Sequence, residues 1–260
     1  MTISIIKDSL WKIKINLKKI LSVAIAILLW QVLAAIISEK VLLVSPLDVV
    51  IRLSELVFES SFWKTILFSF KRITLGFLIA VITGTILAIL SYRYRLAEIF
   101  LWPYMAIIKS TPVASFIILC LIWLTSSSLP IFISFIIVVP VIYSNMLAGF
   151  KSTDKKMLEM AELFNLSFKK KLLFIYLPII KPHFISACTI SIGLAWKSGI
   201  AAEIIGIPSG SIGEMLYNSK LYLATADLFS WTVTIVVVSI LFEKVVLFLL
   251  NKLFCRLENL

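Results

Sequence analysis

The chain has 260 residues, 61% of them hydrophobic, and a formal net charge of +11 at pH 7. An ordinary soluble domain is excluded because so much apolar surface must face lipid, and a polytopic membrane protein is predicted. Lysines and arginines cluster at alternate ends of apolar runs, which is typical of cytoplasmic loops. We therefore expect membrane lipid, and no nucleic acid, as a partner.

Six apolar runs are long enough to cross a hydrocarbon layer, which takes about 20 helical residues. They cover residues 20–38, 73–92, 99–124, 130–150, 179–204 and 228–250. The second run has an upstream extension from Trp63 that carries Lys71 and Arg72. The third run is interrupted by Pro103, Lys109 and Pro112. The runs predict an all-α fold with about six transmembrane helices in one domain over 20–250. A basic segment over 1–19 precedes this domain, and a tail over 251–260 follows it.

The charge distribution predicts the orientation of these runs. Lysines crowd the segment before the first run and the segment 151–171, whereas the opposite loops carry few cations. Positively charged loops stay in the cytosol, so both termini and segment 151–171 are predicted to be cytoplasmic.

Two local patterns predict helix packing and a surface helix. Small residues recur every four positions at Gly76, Ala80, Gly84 and Ala88. This spacing lets another helix approach closely, either within the chain, which we favour, or across a subunit interface. In the loop 39–62, Ser45-Pro46 is a typical helix start, so a short surface helix is expected there.

Segment 151–178 is polar and predicts a helix, a tight turn and a second helix beside the membrane. Thr153 or Asp154 can cap the first helix, Asn165 suits the turn, and Ser167 can cap the second helix. An apolar stripe at helical spacing runs along the first helix: Met157, Met160, Ala161 and Phe164. Such a stripe fits either a groove on a partner protein or the lipid surface, and the pattern leaves both open.

The same segment resembles the signature loop of ABC importer permeases, which has Glu-Ala-Ala, three further residues, Gly, and later Leu-Pro. The matching residues are Glu159, Met160, Ala161, Asn165, Leu177 and Pro178. Met160 replaces an Ala and Asn165 replaces the Gly, but Asn also tolerates the left-handed conformation. The resemblance implies a coupling helix that docks on an ATPase, with Glu159, Ala161 and Asn165 at the contact, alongside the stripe residues Met157, Met160 and Phe164.

Other segments resemble the nitrate/sulfonate/taurine branch of these permeases. They are Ser45-Pro46 with Asp48, Ser69 with Arg72 and Gly76-Phe77, Ala195-Trp196, and Ala202-Glu203. The branch implies a type I importer in a bacterial inner membrane that takes up a small anion or organic nutrient, such as nitrate, a sulfonate, taurine or a vitamin precursor. The implied partners are a cytosolic ABC ATPase, an extracytoplasmic solute-binding protein and a second permease copy in a homodimer.

Polar residues inside apolar runs are candidates for a translocation pathway, since a charge at bilayer depth usually faces the bundle interior or water. Lys109 lies at the interruption of the third run, where it either faces a cavity or extends to the interface. A second candidate cluster lies near the outer leaflet: Trp196, Lys197, Ser198 and Glu203. Its alternative is an interfacial anchor or a Lys–Glu pair.

No enzymatic motif is evident in the sequence. It contains no GxxxxGK[ST] phosphate loop, no Cys/His cluster and no Ser/His/Asp arrangement. We therefore expect a protein that is not an enzyme and has no metal or cofactor, with ATP bound by a partner subunit. An ion-coupled secondary transporter acting without an ATPase is the alternative, although no internal repeat supports it. A membrane enzyme is a third option, but a single histidine argues against it.

Overall fold

The computed structural model describes the backbone of residues 2–37, 39 and 42–258, and the side chains of 18, 21–37, 39 and 42–257. Within these residues the chain is helical without a β-strand, as predicted. Several predicted features lie outside the described side chains: the N-terminal lysines other than Lys18, Lys40, Ser38 at the end of the first run, and the last residues of the tail.

The helices follow one another closely along the chain, with a π-helical turn at Leu172–Tyr176 between α8 and α9. They are α1 (Thr2–Ile37), α2 (Pro46–Val57), α3 (Ser60–Arg93), α4 (Arg95–Ser110), α5 (Val113–Cys120), α6 (Leu129–Lys151), α7 (Lys155–Leu163), α8 (Phe168–Lys171), α9 (Leu177–Gly206), α10 (Ile212–Leu221) and α11 (Thr225–Glu258).

Four described helical stretches are long and apolar enough to cross a membrane: α3, α6, the stretch Phe168–Gly206 that ends in α9, and α11. Helices α4 and α5 meet at a bend of 104° and together form a fifth, broken span or a re-entrant loop. The predicted interruption of the third run is thus confirmed at Pro112, whereas α4 continues through Pro103 and Lys109. The apolar part of α1, Leu21–Ile37, is shorter than the four long stretches. Helix α3 begins at Ser60, close to the predicted upstream extension from Trp63, and continues through Lys71 and Arg72.

The bundle is built on the close packing of α3 against α6 and of α6 against α9. Gly76 lies against the backbone carbonyl of Ile131. A Cβ atom on Gly84 would lie 2.9 Å from the Ile142 Cβ atom and 3.1 Å from the Val139 carbonyl oxygen. The small-residue face of α3 therefore packs within the chain, which confirms the favoured alternative.

Helix α2 confirms the predicted surface helix and is tied to the last span. The Ser45 hydroxyl accepts a hydrogen bond from the Asp48 N–H at 3.1 Å, and Pro46 occupies the first turn. Arg52 pairs with Asp227 of α11 and, at 2.8 Å, with Glu55. These two hydrogen bonds, that of Asp227 first, raise the pKa of Arg52, so its guanidinium stays charged. The ion pairs hold α2 against α11.

The segment 154–171, here called the polar hairpin, consists of α7, a turn and α8, as predicted. Asp154 rather than Thr153 caps α7, since its carboxylate accepts the Lys156 N–H at 2.9 Å. Asn165 has a φ of 50°. The Leu166 N–H donates to the Ala161 carbonyl, and the Asn165 N–H donates to the Glu162 carbonyl, both at 2.9 Å. This is the Schellman arrangement that closes a helix on a left-handed residue.

The second half of the polar hairpin differs from the prediction. Ser167 stands at the N-cap position of α8, but no capping hydrogen bond from its side chain is found within the described residues. The π-helical turn that follows is not predicted by the sequence. Its last residue, Tyr176, lies 6.2 Å from the ring of Tyr92 and 6.3 Å from the ring of Phe150. These rings fix the base of the polar hairpin against α3 and α6.

The close approach at Gly84 leads to a stability prediction. Gly84→Ala is expected to lower the free energy of unfolding by about 1–3 kcal/mol, because a methyl group overpacks the α3–α6 contact. Thermal unfolding in detergent is followed by a thiol-reactive dye on a Cys255→Ser background, since Cys120 and Cys188 are buried.

Gly193→Ala is the matched control, since nothing lies within 4 Å of a Cβ atom at that helical glycine. It is expected to be neutral or stabilising by up to about 1 kcal/mol. Equal melting temperatures for the two variants would show that α3 and α6 do not depend on the small residue.

The turn at Asn165 leads to a second prediction. Asn165→Ala is expected to destabilise the polar hairpin by about 1–2 kcal/mol, because alanine disfavours the left-handed conformation. Amides of α7 should then exchange about tenfold faster in hydrogen-exchange mass spectrometry. Asn165→Gly, which accepts this conformation, should exchange no faster than the parent, and equally fast exchange in both variants contradicts the prediction.

Candidate functional site

One face of the polar hairpin is open. The exposed fractions of its stripe residues are 39% for Met157, 52% for Met160 and 73% for Phe164, whereas Ala161 is buried. Leu163 beside them is 83% exposed. The predicted stripe therefore divides: Ala161 faces the protein, and the larger side chains face outward.

The exposed apolar side chains form a surface that a partner groove can cover. Met and Phe side chains adapt to the shape of a partner, and an exposed apolar patch edged by polar residues is typical of an interaction site. The edge is supplied by exposed charged residues, namely Lys155, Lys156, Glu159, Lys169 and Lys170. Asn165 lies at the tip, where the Schellman turn sets the angle between α7 and α8.

A second candidate feature is a groove between α4 and α6 that contains Lys109. Lys109 lies in the last turn of α4, directly before the break, and donates a hydrogen bond to the Ser144 hydroxyl at 3.1 Å. The groove has a volume of about 390 Å³. An ion pair between Lys151 and Glu98, 2.5 Å long, lies along it. The Lys109 ammonium group is thus exposed in a groove, where it can attract an anion.

The predicted outer cluster is not assembled in the structure. Lys197 is exposed, but Trp196, Ser198 and Glu203 are buried inside the bundle, with exposed fractions of 1%, 4% and 0%. The Trp196 ring packs against Phe70 of α3. The cluster divides because consecutive residues of a helix point in different directions, so α9 presents Lys197 outward and Trp196 inward.

Glu203 is the centre of a buried polar contact that joins three helices. Its Oε2 atom accepts a hydrogen bond from the Ser69 hydroxyl of α3 at 2.7 Å and from the Gly213 N–H of α10 at 3.1 Å. The Ser69 hydroxyl in turn accepts the Ile212 N–H at 3.0 Å. Both Ser69 and Glu203 belong to motifs of the sequence resemblance, but no local pattern indicates that they meet.

Arg72 lies one turn of α3 beyond Ser69 and contacts the loop between α5 and α6. Its Nε atom donates to the Ser127 carbonyl at 2.8 Å, and its guanidinium stacks on the Phe68 ring at 3.5 Å. The loop between α5 and α6 is thereby held against α3. Among the residues that the structure describes, no group of three or more His, Cys, Asp and Glu side chains could hold a metal ion.

The chain matches a known family over most of its length. The model of the family described as the binding-protein-dependent transport system inner membrane component covers residues 76–257. The nitrate import permease NrtB of Synechococcus elongatus is 26% identical over 83% of this chain and 82% of its own length. The taurine transport system permease TauC of Escherichia coli is 27% identical over 71% and 67%.

Further similarity supports the same family. A Bacillus subtilis permease protein, SsuC, whose name assigns it to aliphatic sulfonates transport, is 25% identical over 91% of this chain and 86% of its own length. The crystal structure of an amino acid ABC transporter with histidines covers 80% of this chain and 97% of its own, with a TM-score of 0.56 and 17% identity. That likeness shows a shared fold.

The family match makes the chain a transport component and not an enzyme. The predictions of an all-α fold, of a multi-pass membrane protein and of the family itself are therefore confirmed. The chain belongs to the binding-protein-dependent transport system inner membrane components, as a type I ABC importer permease of the nitrate/sulfonate/taurine branch.

Proposed function

We propose that this chain forms the solute pathway of an ATP-driven importer and is coupled through segment 154–168 to a separate cytosolic ATPase. The observation that carries the proposal is the exposed stripe of Met157, Met160 and Phe164 beside a rigid turn at Asn165. Glu159 is exposed beside this stripe, and Ala161 supports it from inside by packing α7 onto the chain. ATP binds to the partner, and closure of the ATPase would displace the polar hairpin.

The proposed assembly has three further features. A second copy of the chain completes the pathway as a homodimer, and an extracytoplasmic binding protein delivers the solute. Both termini lie in the cytosol, as the lysine distribution favours. Lipid covers the outward faces of the spanning helices, whose large aliphatic side chains are exposed in the single chain.

The proposed solute is a small molecule with an oxyanion group. The relatives are named for nitrate, taurine and sulfonates, and all three carry such a group. Lys109 and Lys197 supply exposed cations to the pathway, while Trp196, Ser198 and Glu203 support its wall from inside the bundle.

The alternative drawn from the sequence, a secondary transporter, has the broken third span in its favour, but the family match supports the importer. Interrupted helices are common at the binding sites of such transporters. Uptake driven by a proton or sodium gradient, without any ATPase, would favour this candidate.

The coupling proposal predicts that Phe164→Ser abolishes co-purification of an ATPase, because the variant removes the aromatic ring of the stripe. The tagged permease is purified from its host in mild detergent, and vanadate-sensitive ATP hydrolysis is measured in the eluate. Phe58→Ser is the matched control, since Phe58 is 90% exposed but directly follows α2, outside the polar hairpin. Full ATPase recovery with Phe164→Ser contradicts the coupling role.

The pathway proposal predicts that Lys109→Met lowers the uptake efficiency for an oxyanion about tenfold or more, since a hydrogen bond to a charged group contributes about 1.5–3 kcal/mol. Uptake of labelled nitrate, taurine and ethanesulfonate is measured in cells. Lys109→Arg should keep most of the uptake, and Lys252→Met, at the far end of α11, should keep all of it. Unchanged uptake with Lys109→Met would remove this residue from the pathway.

A further inference from the structure

Helix α9 connects the two ends of the molecule. It has 30 residues, which corresponds to a length of about 45 Å at a rise of 1.5 Å per residue. Its first turn follows the π-helical turn and the polar hairpin, and its last turn carries Glu203. A displacement of the polar hairpin can therefore be transmitted along one continuous helix to the opposite end of the bundle.

At its far end α9 meets α10. Glu203 contacts α10 through its side chain and the end of α9 through its backbone. Its side chain accepts the Gly213 N–H of α10 at 3.1 Å, and its backbone carbonyl accepts the Ile207 N–H at 2.8 Å. Gly213 lies so close to Glu203 that a Cβ atom would overlap the Glu203 Cβ atom and backbone. Glu203 thus contacts both ends of the loop from α9 to α10, which also has a hydrogen bond of its own from the Ser211 N–H to the Pro208 carbonyl at 3.2 Å.

The junction also contains a strained residue. Ile207 has a φ of 46°, a left-handed conformation that is rare for a β-branched side chain. Such a conformation persists only where the surrounding structure enforces it. Here the Ile207 N–H closes α9 on the backbone carbonyl of Glu203, as in an αL helix end. The Glu203 side chain separately fixes the start of α10, and Ser69 links both to α3 by donating to Glu203 at 2.7 Å and accepting from Ile212 at 3.0 Å.

We propose that Glu203 is a positioning residue that fixes α10 to the ends of α9 and α3, so that α10 moves with the bundle during each transport cycle. The inference rests on the proposed function, because it assumes that an ATPase displaces the polar hairpin. A carboxylate suits this role because one oxygen accepts from two helices at once, and the directions of both hydrogen bonds set the register of α10. Glu203 then acts on transport without touching the solute.

The test measures whether α10 still follows the ATPase. The permease is reconstituted with its ATPase and binding protein in liposomes, with Tyr222→Cys on a Cys255→Ser background. Tyr222 follows the last turn of α10 and is 76% exposed, whereas Cys120 and Cys188 are buried. A membrane-impermeant maleimide labels this position in the nucleotide-free state and after vanadate trapping.

In the reference complex, whose permease carries only Tyr222→Cys and Cys255→Ser, vanadate trapping should change the labelling rate. Glu203→Ala should abolish that change while ATP hydrolysis continues. Glu203→Gln should restore the change, because its amide oxygen can accept both hydrogen bonds. If Glu203→Ala fails to assemble, Ser69→Ala replaces it, since this variant removes the link from α3 and should reduce the change. Ser191→Ala is the control, because this buried hydroxyl of α9 has no hydrogen-bond partner among the described residues.

Hydrolysis with no change of labelling in the reference complex overturns the inference alone. So does an undiminished change in the assembled Glu203→Ala variant, or in Ser69→Ala where that variant replaces it. A reference complex without vanadate-sensitive hydrolysis instead rejects the proposed function, and with it the inference. If Ser191→Ala loses the labelling response as fully as Glu203→Ala does, the specific role of Glu203 is also overturned. The loss of response would then result from removing any buried polar group of α9.

Discussion

The close approach of α3 to α6 is the constraint on which the rest of the structure depends. In a membrane the apolar side chains gain little by leaving lipid, so helices associate mainly through van der Waals contact. Gly76 and Gly84 let the backbone of α3 touch that of α6. The Ser134 hydroxyl of α6 then donates to the Ala195 carbonyl of α9 at 3.1 Å. These contacts make three spans into one unit to which the remaining helices attach.

The attached elements differ in how they are held, and this difference relates to function. The polar hairpin is fixed at its base by the rings of Tyr92, Phe150 and Tyr176, but its stripe side chains are open. Helix α10 is fixed by hydrogen bonds to Glu203. A firm base with a free surface suits a segment that must transmit force from a partner, because the partner can bind without first ordering the hairpin.

Features with local causes could be predicted from the sequence, whereas contacts between distant helices could not. Asn165 closes α7 through its own tolerance of a positive φ, so the helix, turn and helix of the polar hairpin follow from the pattern. The contact between Ser69 and Glu203 joins residues 134 positions apart, each of which looks like an isolated polar residue in an apolar run. The outer cluster was grouped by closeness in sequence, and its members differ in burial. Helix α9 sends Lys197 and Trp196 in different directions, so such a group divides when the helix packs on one side.

The choice of a carboxylate at position 203 needs a reason, since burying one inside a membrane protein is costly. An apolar residue of similar volume would avoid that cost but would leave the Ser69 hydroxyl and the Gly213 N–H without their acceptor. It would also allow α10 to slide, because apolar contacts have no preferred direction. Hydrogen bonds do have one, so the bonds to the Glu203 carboxylate fix where α10 begins relative to α9 and α3. A buried acceptor shared by α3 and α10 therefore trades some stability for a single position of α10, which is what a helix needs if it is to follow the bundle.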